Sequence, residues 1–62
     1  MEFKRNDKVV SPMGIEMTVQ KDTTTDSSVV EVLVLWSDMT GRPTWVRSLA
    51  IKEVLQLVER AK

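Results

Sequence analysis

The chain has 62 residues, 42% of them hydrophobic and 29% charged, which allows one folded domain and sits close to the size at which a core can hold without help. It contains neither cysteine nor histidine, so disulfides, thiolate nucleophiles, Cys/His zinc sites, histidine general bases and serine–histidine triads are excluded. Nine Lys+Arg against nine Asp+Glu give a formal net charge of zero, so no global field gathers nucleic acid or an anionic membrane, and any such binding has to be local.

The segment Met1-Glu2-Phe3-Lys4-Arg5-Asn6-Asp7 has no apolar run behind its charges. No secretory leader is therefore expected, and no later run approaches the ~20 residues that span a bilayer. A cytoplasmic protein is the expectation. Lys4, Arg5 and Lys8 alternate with Glu2 and Asp7, which reads as a solvated strand edge that discourages pairing. A first strand begins at Lys8 and ends at Ser11-Pro12-Met13-Gly14, where proline fixes one dihedral and glycine permits a left-handed one. Ile15, Met17 and Val19 then alternate with Glu16, Thr18 and Gln20, the period of a half-buried second strand. Asp22 to Ser28 is small and polar and reads as an exposed hairpin loop.

Val29 to Trp36 is β-branched and apolar on both faces, as expected of a central third strand. Val30, Val32, Val34 and Trp36 form one face, and Leu33 and Leu35 stand on the other. Asp38 to Pro43 is the next turn, and Thr44-Trp45-Val46-Arg47 is a short fourth strand. From Ala50 to Lys62 the period changes. Stepping by 100° per residue puts Ala50, Ile51, Val54, Leu55, Leu57, Val58 and Ala61 on one arc roughly 160° wide, opposite Lys52, Glu53, Gln56, Glu59 and Arg60. This predicts an amphipathic helix with Ser48 as its N-cap and Arg60 and Lys62 at the negative end of its dipole. The predicted organisation is a single domain over 1–62, mainly β with one C-terminal helix: a β meander over 3–49 and the helix over 50–62.

The order Phe3, Asn6-Asp7-Lys8-Val9, a Pro/Gly turn, Glu16-Met17-Thr18-Val19 and a β-rich run ending in Trp36-Ser37-Asp38 resembles the YodC-like family of small uncharacterised bacterial proteins. Members share a Phe, a Gly-Asp-x-Val start, a Gly-Gly-Pro-x-Met-x-Val stretch and a Cys-x-Trp-[Phe/Tyr]-Asp stretch, and the likeness covers residues 3 to 54. It implies a small SH3-like antiparallel barrel or bent meander sheet and no activity. Val32, Val34 and Trp36 look like the family's inward Val, Cys and Trp positions. Leu49 looks like the Phe that closes its last strand, and the place of Asp7 suggests a hydrogen bond at a turn or strand entry. Three features depart from the family: Pro12-Met13-Gly14 replaces the double glycine, the 22–28 loop is longer, and Leu33 and Leu35 stand where members carry polar residues.

No catalytic constellation emerges. The carboxylates are scattered, and Asp22 and Asp26 lack the glycine and distal glutamate of a calcium loop. No metal and no cofactor are expected, and the chain reads as a non-enzyme. Trp36 and Trp45 with Arg42 and Arg47 could form a stacking and phosphate-contacting surface. Trp36, following a Val-x-Val alternation, reads rather as core, and Trp45 is open between core and surface. The expected function is an interaction module. Leu33 and Leu35 need a cover, and Val54, Leu57 and Val58 of the helix would supply it in the same chain or in a second copy, a homodimer being favoured because so small a core gains burial by association. The alternative is a nucleic-acid-binding module using Arg42, Trp45 and Arg47.

Overall fold

The computed structural model describes residues 2–61. Five strands, β1 (Lys8–Val10), β2 (Glu16–Val19), β3 (Val29–Ser37), β4 (Pro43–Ile51) and β5 (Gln56–Glu59), form one antiparallel open sheet in the order β4-β3-β2-β1-β5, and a 3₁₀ turn, Lys52–Val54, joins β4 to β5. The β meander of the sequence reading is present, with its fourth strand running well beyond Thr44–Arg47.

Two of the hairpins close on the same loop. Gly14 N–H donates to the Ser11 carbonyl and Ser11 N–H to the Ile15 carbonyl, both at 2.9 Å; Gly41 N–H donates to the Asp38 carbonyl and Asp38 N–H to the Arg42 carbonyl, both at 3.0 Å. Each is a three-residue hairpin loop whose last residue takes a left-handed conformation. The glycine supplies it, at φ +83° in both cases. In the second loop the Asp38 carboxylate accepts from the Thr40 hydroxyl at 2.7 Å, the Thr40 N–H at 2.8 Å and the Arg42 N–H at 2.9 Å. These bonds, the Thr40 hydroxyl's first, hold the Asp38 carboxyl below the ordinary aspartate pKa.

Cross-strand register assigns the two faces. Val9 of β1 lies opposite Met17 of β2, Met17 opposite Val34 of β3, Val34 opposite Val46 of β4, and Leu57 of β5 opposite Val9. Directly opposite residues share a face, so these five line the inner side. The buried core is Phe3, Val9, Met17, Val19, Val30, Val32 and Leu55, with Val34, Ala50 and Leu57 packed against it. Of the predicted interior residues Val32 is fully buried and Val34 half-buried, whereas Trp36 is 63% exposed. Trp36 shares the inner face with Val32, but β2 reaches only as far as Val34, and the rest of the β3–β4 hairpin has no third strand beside it. Alternation specifies a face; it does not specify that the face is covered.

The predicted helix does not form. Ala50 and Ile51 end β4, Lys52–Val54 make the 3₁₀ turn, Leu55 enters the core, and Gln56–Glu59 pair with β1. Ser48 is a mid-strand residue of β4 and caps no helix; Lys62 lies outside the described residues. The physical reason is tertiary. The β-branched Ile51, Val54 and Val58 suit a strand as well as a helix, and the free edge of β1 offers a ladder that a thirteen-residue isolated helix has nothing to match. Leu55 and Leu57 follow the period of two and turn inward, leaving Val54 and Val58 exposed.

The 22–28 loop is less open than its composition predicts. The Thr23 hydroxyl accepts from the Phe3 N–H at 2.8 Å, and the Thr23 N–H donates to the Phe3 carbonyl at 2.9 Å. Asp22 accepts from the Arg5 N–H at 2.7 Å. The loop thus holds the N-terminal arm so that Phe3 plugs the core.

Candidate functional site

Asp7 is the one fully buried charged side chain among the described residues. Its carboxylate accepts from the Lys4 N–H at 2.9 Å and, across 54 positions, from the Ala61 N–H at 2.7 Å, with the Arg60 guanidinium 3.5 Å away. Its backbone belongs to the same junction, since Val19 N–H donates to the Asp7 carbonyl at 2.8 Å. Burial by itself raises the Asp7 pKa, but the bonds from Ala61 and Lys4 and the charges of Arg60 and Lys4 outweigh it, and the carboxyl titrates below the ordinary value. Both of its hydrogen bonds come from the protein's own backbone and its ion-pair partner is Arg60 of the same chain, so Asp7 is a structural clasp between the start of β1 and the end of β5. The two bonds sit at the turn before β1 and at the exit of β5.

The interaction residues read from sequence are not brought together. Leu33 and Leu35 stand on the outer face of β3, Leu35 opposite Trp45 and Leu33 opposite Arg47. Leu57 is on the inner face of β5 against the core, Val58 is exposed on β5, and Val54 is exposed in the 3₁₀ turn. β1 and β2 separate β5 from β3 in the sheet. The cover that the helix was to give strand three is therefore absent, and Leu35 is 49% exposed. The nucleic-acid alternative fares differently: Trp45, 57% exposed, and Arg47 lie two residues apart on the outer face of β4, with Arg42 at the neighbouring turn. Glu16 lies with Trp45 along one small cleft, and Glu31 is two residues from Leu33 on the same face.

What the structure assembles is an apolar surface on the β3–β4 hairpin. On its inner side a groove of about 630 Å³ runs between the Pro12-Met13 turn and the hairpin, lined by Met13, Ile15, Val34, Trp36 and Val46 among others. On its outer side stand Leu35, Trp45, Leu49 and Ile51, all exposed. β4 is an edge strand of nine residues, exposed along its length except for the half-buried Ala50. Its only charge is Arg47. The sequence reading missed this surface because it ended the strand at Arg47 and gave Ala50 and Ile51 to a helix; the signal available was the run from Trp45 to Ile51, in which a period of two puts Trp45, Leu49 and Ile51 on one face and Val46 and Ala50 on the other.

Among the described residues no helix is long and apolar enough to cross a membrane. No protein-family model matches the chain, and neither a curated protein nor a solved structure matches it.

Proposed function

We propose that the protein is a non-enzymatic interaction module that self-associates through its β3–β4 hairpin. The observation that carries this reading is the hairpin itself, long and apolar on both faces, with β4 exposed along nearly its whole length and β3 uncovered beyond Val34, in a chain whose compact core is small. The chain exposes 4874 Å², against the roughly 4,100 Å² expected of a folded monomer of 7.1 kDa. The surplus, roughly 800 Å², is what one partner contributes to an interface of standard size. We also read the fold as SH3-like and the chain as a relative of the YodC-like family: the strand order β4-β3-β2-β1-β5 and the 3₁₀ turn between β4 and β5 agree with that reading, and Phe3, Val32 and Asp7 occupy roles in the core and at strand entry that suit it. A cytoplasmic location and the absence of enzymatic activity belong to the same proposal.

The test is the solution mass across a dilution series. At high concentration the mass should be twice that of one chain and should fall toward it on dilution, and the thermal midpoint should rise with concentration, because association stabilises only the folded form. The mass of one chain at every concentration, with an invariant midpoint, would overturn the proposal.

One observation favours the second reading, a nucleic-acid-binding module: the exposed Trp45 and Arg47, two residues apart on the outer face of β4. With zero net charge, and Glu16 and Glu31 offsetting Lys8 and Arg47 on or beside that face, few counterions are there to be released. Affinity for single-stranded DNA or RNA should stay weaker than ~10 μM at physiological salt. Sub-micromolar binding that weakens steeply with salt and vanishes when Arg42 and Arg47 are both replaced by alanine would put this reading first.

A further inference from the structure

We infer that two copies of the chain join edge to edge through β4, antiparallel about a two-fold axis that passes at Ser48, giving one continuous ten-stranded sheet. The inference rests on the self-association proposed above and gives it a register.

Which backbone groups of β4 are free follows from its ladder with β3. Lys52 N–H donates to the Ser28 carbonyl at one end of the hairpin, and Asp38 N–H to the Arg42 carbonyl at the other. The pairing between them runs without a register shift, Ile51 opposite Val29 through to Pro43 opposite Ser37. In an antiparallel ladder, residues alternate between bonding the neighbour on one side and pointing away from it. Thr44, Val46, Ser48 and Ala50 therefore bond β3, and Trp45, Arg47, Leu49 and Ile51 direct their N–H and C=O groups out of the sheet. Pro43 falls in the outward set but has no N–H. Beyond it the strand ends. The outward donors are thus four residues, and their midpoint is Ser48.

Only one antiparallel register pairs that set entirely with its copy: Trp45 opposite the partner's Ile51 and Arg47 opposite the partner's Leu49, each twice. The outer face then gains two aromatic–β-branched pairs, a favoured cross-strand combination. On the inner face Val46 meets the partner's Ala50, and the two Ser48 hydroxyls meet at the axis. Charge agrees with this register. Among the described residues the only ion pair is Arg60 with Asp7. Within its own chain Leu49 lies opposite Glu31, so in the dimer Arg47 and the partner's Glu31 stand two strand spacings apart, ~9–10 Å, on the same face and within reach of a long arginine side chain. A register centred on Arg47 would set like charges face to face. A register centred on Val46 would place Pro43 where a donor is required.

The other edge of the sheet is a poorer choice. β5 has four residues, one of them Glu59, and short charged edges resist pairing, whereas β4 carries few of the features that protect an edge strand.

Because the chain has no cysteine, single cysteines report the register directly. In the inferred dimer residue 48 faces its own copy in a non-hydrogen-bonded pair, where Cα atoms lie ~4.5 Å apart, within disulfide reach. Residue 46 is displaced from its copy by four positions, ~13 Å along the strand. Under mild oxidation Ser48→Cys should therefore become a covalent dimer with an unchanged circular dichroism spectrum, and Val46→Cys should not. Ser48→Lys, which sets two ammonium groups against each other at the axis, should keep the spectrum and lose the dimer. Cross-linking through Val46→Cys but not Ser48→Cys would overturn the register. A wild-type dimer in which neither cysteine cross-links and Ser48→Lys stays dimeric would overturn pairing through β4 while leaving self-association standing. A wild-type chain that is monomeric throughout would overturn both.

Discussion

Replacing Asp7 by alanine should lower the thermal midpoint by roughly 10–25 °C. The substitution leaves the Lys4 and Ala61 N–H groups, both partly buried at the junction of β1 and β5, without their acceptor. Losing charge-assisted bonds to buried donors costs about 2–4 kcal/mol, and in a domain of this size each kcal/mol moves the midpoint by about 4–8 °C. The ion pair with Arg60 adds little, because the arginine side chain is half exposed and solvent screens it. The same carboxylate sets the response to acid. Its folded pKa is below its ordinary value despite the opposing effect of burial. Its contribution is therefore fully present above the unfolded value of about 3.9 and is lost as the pH falls through the folded value. Wild-type unfolding free energy should fall as pH is lowered from 5 toward 2, with a steeper slope than the Asp7→Ala protein shows over the same window. Equal slopes, or a midpoint within about 3 °C of wild type, would mean that the clasp between the start of β1 and the end of β5 carries no stability.

Residues near β1, β2 and the start of β3 were legible because local chemistry and tertiary context agree there. Pro12 and Gly14 stand where a three-residue hairpin loop needs them, Met17 and Val19 alternate inward, and Val30 and Val32 are core. From Trp36 onward the two diverge. A period of two places Trp36 on the same face as Val32, yet whether that face is covered depends on how far β2 extends, which no feature of residues 29 to 37 encodes. The segment from Ala50 is the reverse case. Its apolar residues fit an arc of a helix, and the alternative was set by the unpaired edge of β1, more than forty residues earlier in the chain. Thr23 shows the same limit on a smaller scale: in a run of threonines and serines, one is buried because Phe3 lies beside it. The candidate surface was legible in its content, since the apolar excess of strand three was noticed, and illegible in its place, since β4 was cut short and the excess assigned to a helix.

Phe3 and Trp36 make the sharpest test of this division, because aromatic content alone would rank the tryptophan as the more important core residue. Phe3→Ala should leave the chain largely unfolded at 25 °C when measured dilute enough to be monomeric. Phe3 is fully buried in the core cluster that also holds Val9, Met17, Val19, Val30, Val32 and Leu55, and removing such a ring costs about 3–5 kcal/mol in transfer and cavity terms. A disulfide-free domain of this length has only about 3–5 kcal/mol in total, so the loss is of the order of the whole. Thr23→Val should act in the same direction but more weakly, about 1–2 kcal/mol, by leaving the Phe3 N–H without its acceptor. Trp36→Ala, in the same dilute sample, should change the unfolding free energy by no more than about 0.5 kcal/mol, the range of ordinary surface substitutions, since the ring is 63% exposed beyond the end of β2. The readout is denaturant unfolding followed by far-ultraviolet circular dichroism. A Trp36→Ala protein destabilised as much as Phe3→Ala would show that the distal hairpin is folded onto the core of its own chain, and the uncovered surface on which self-association rests would then not exist.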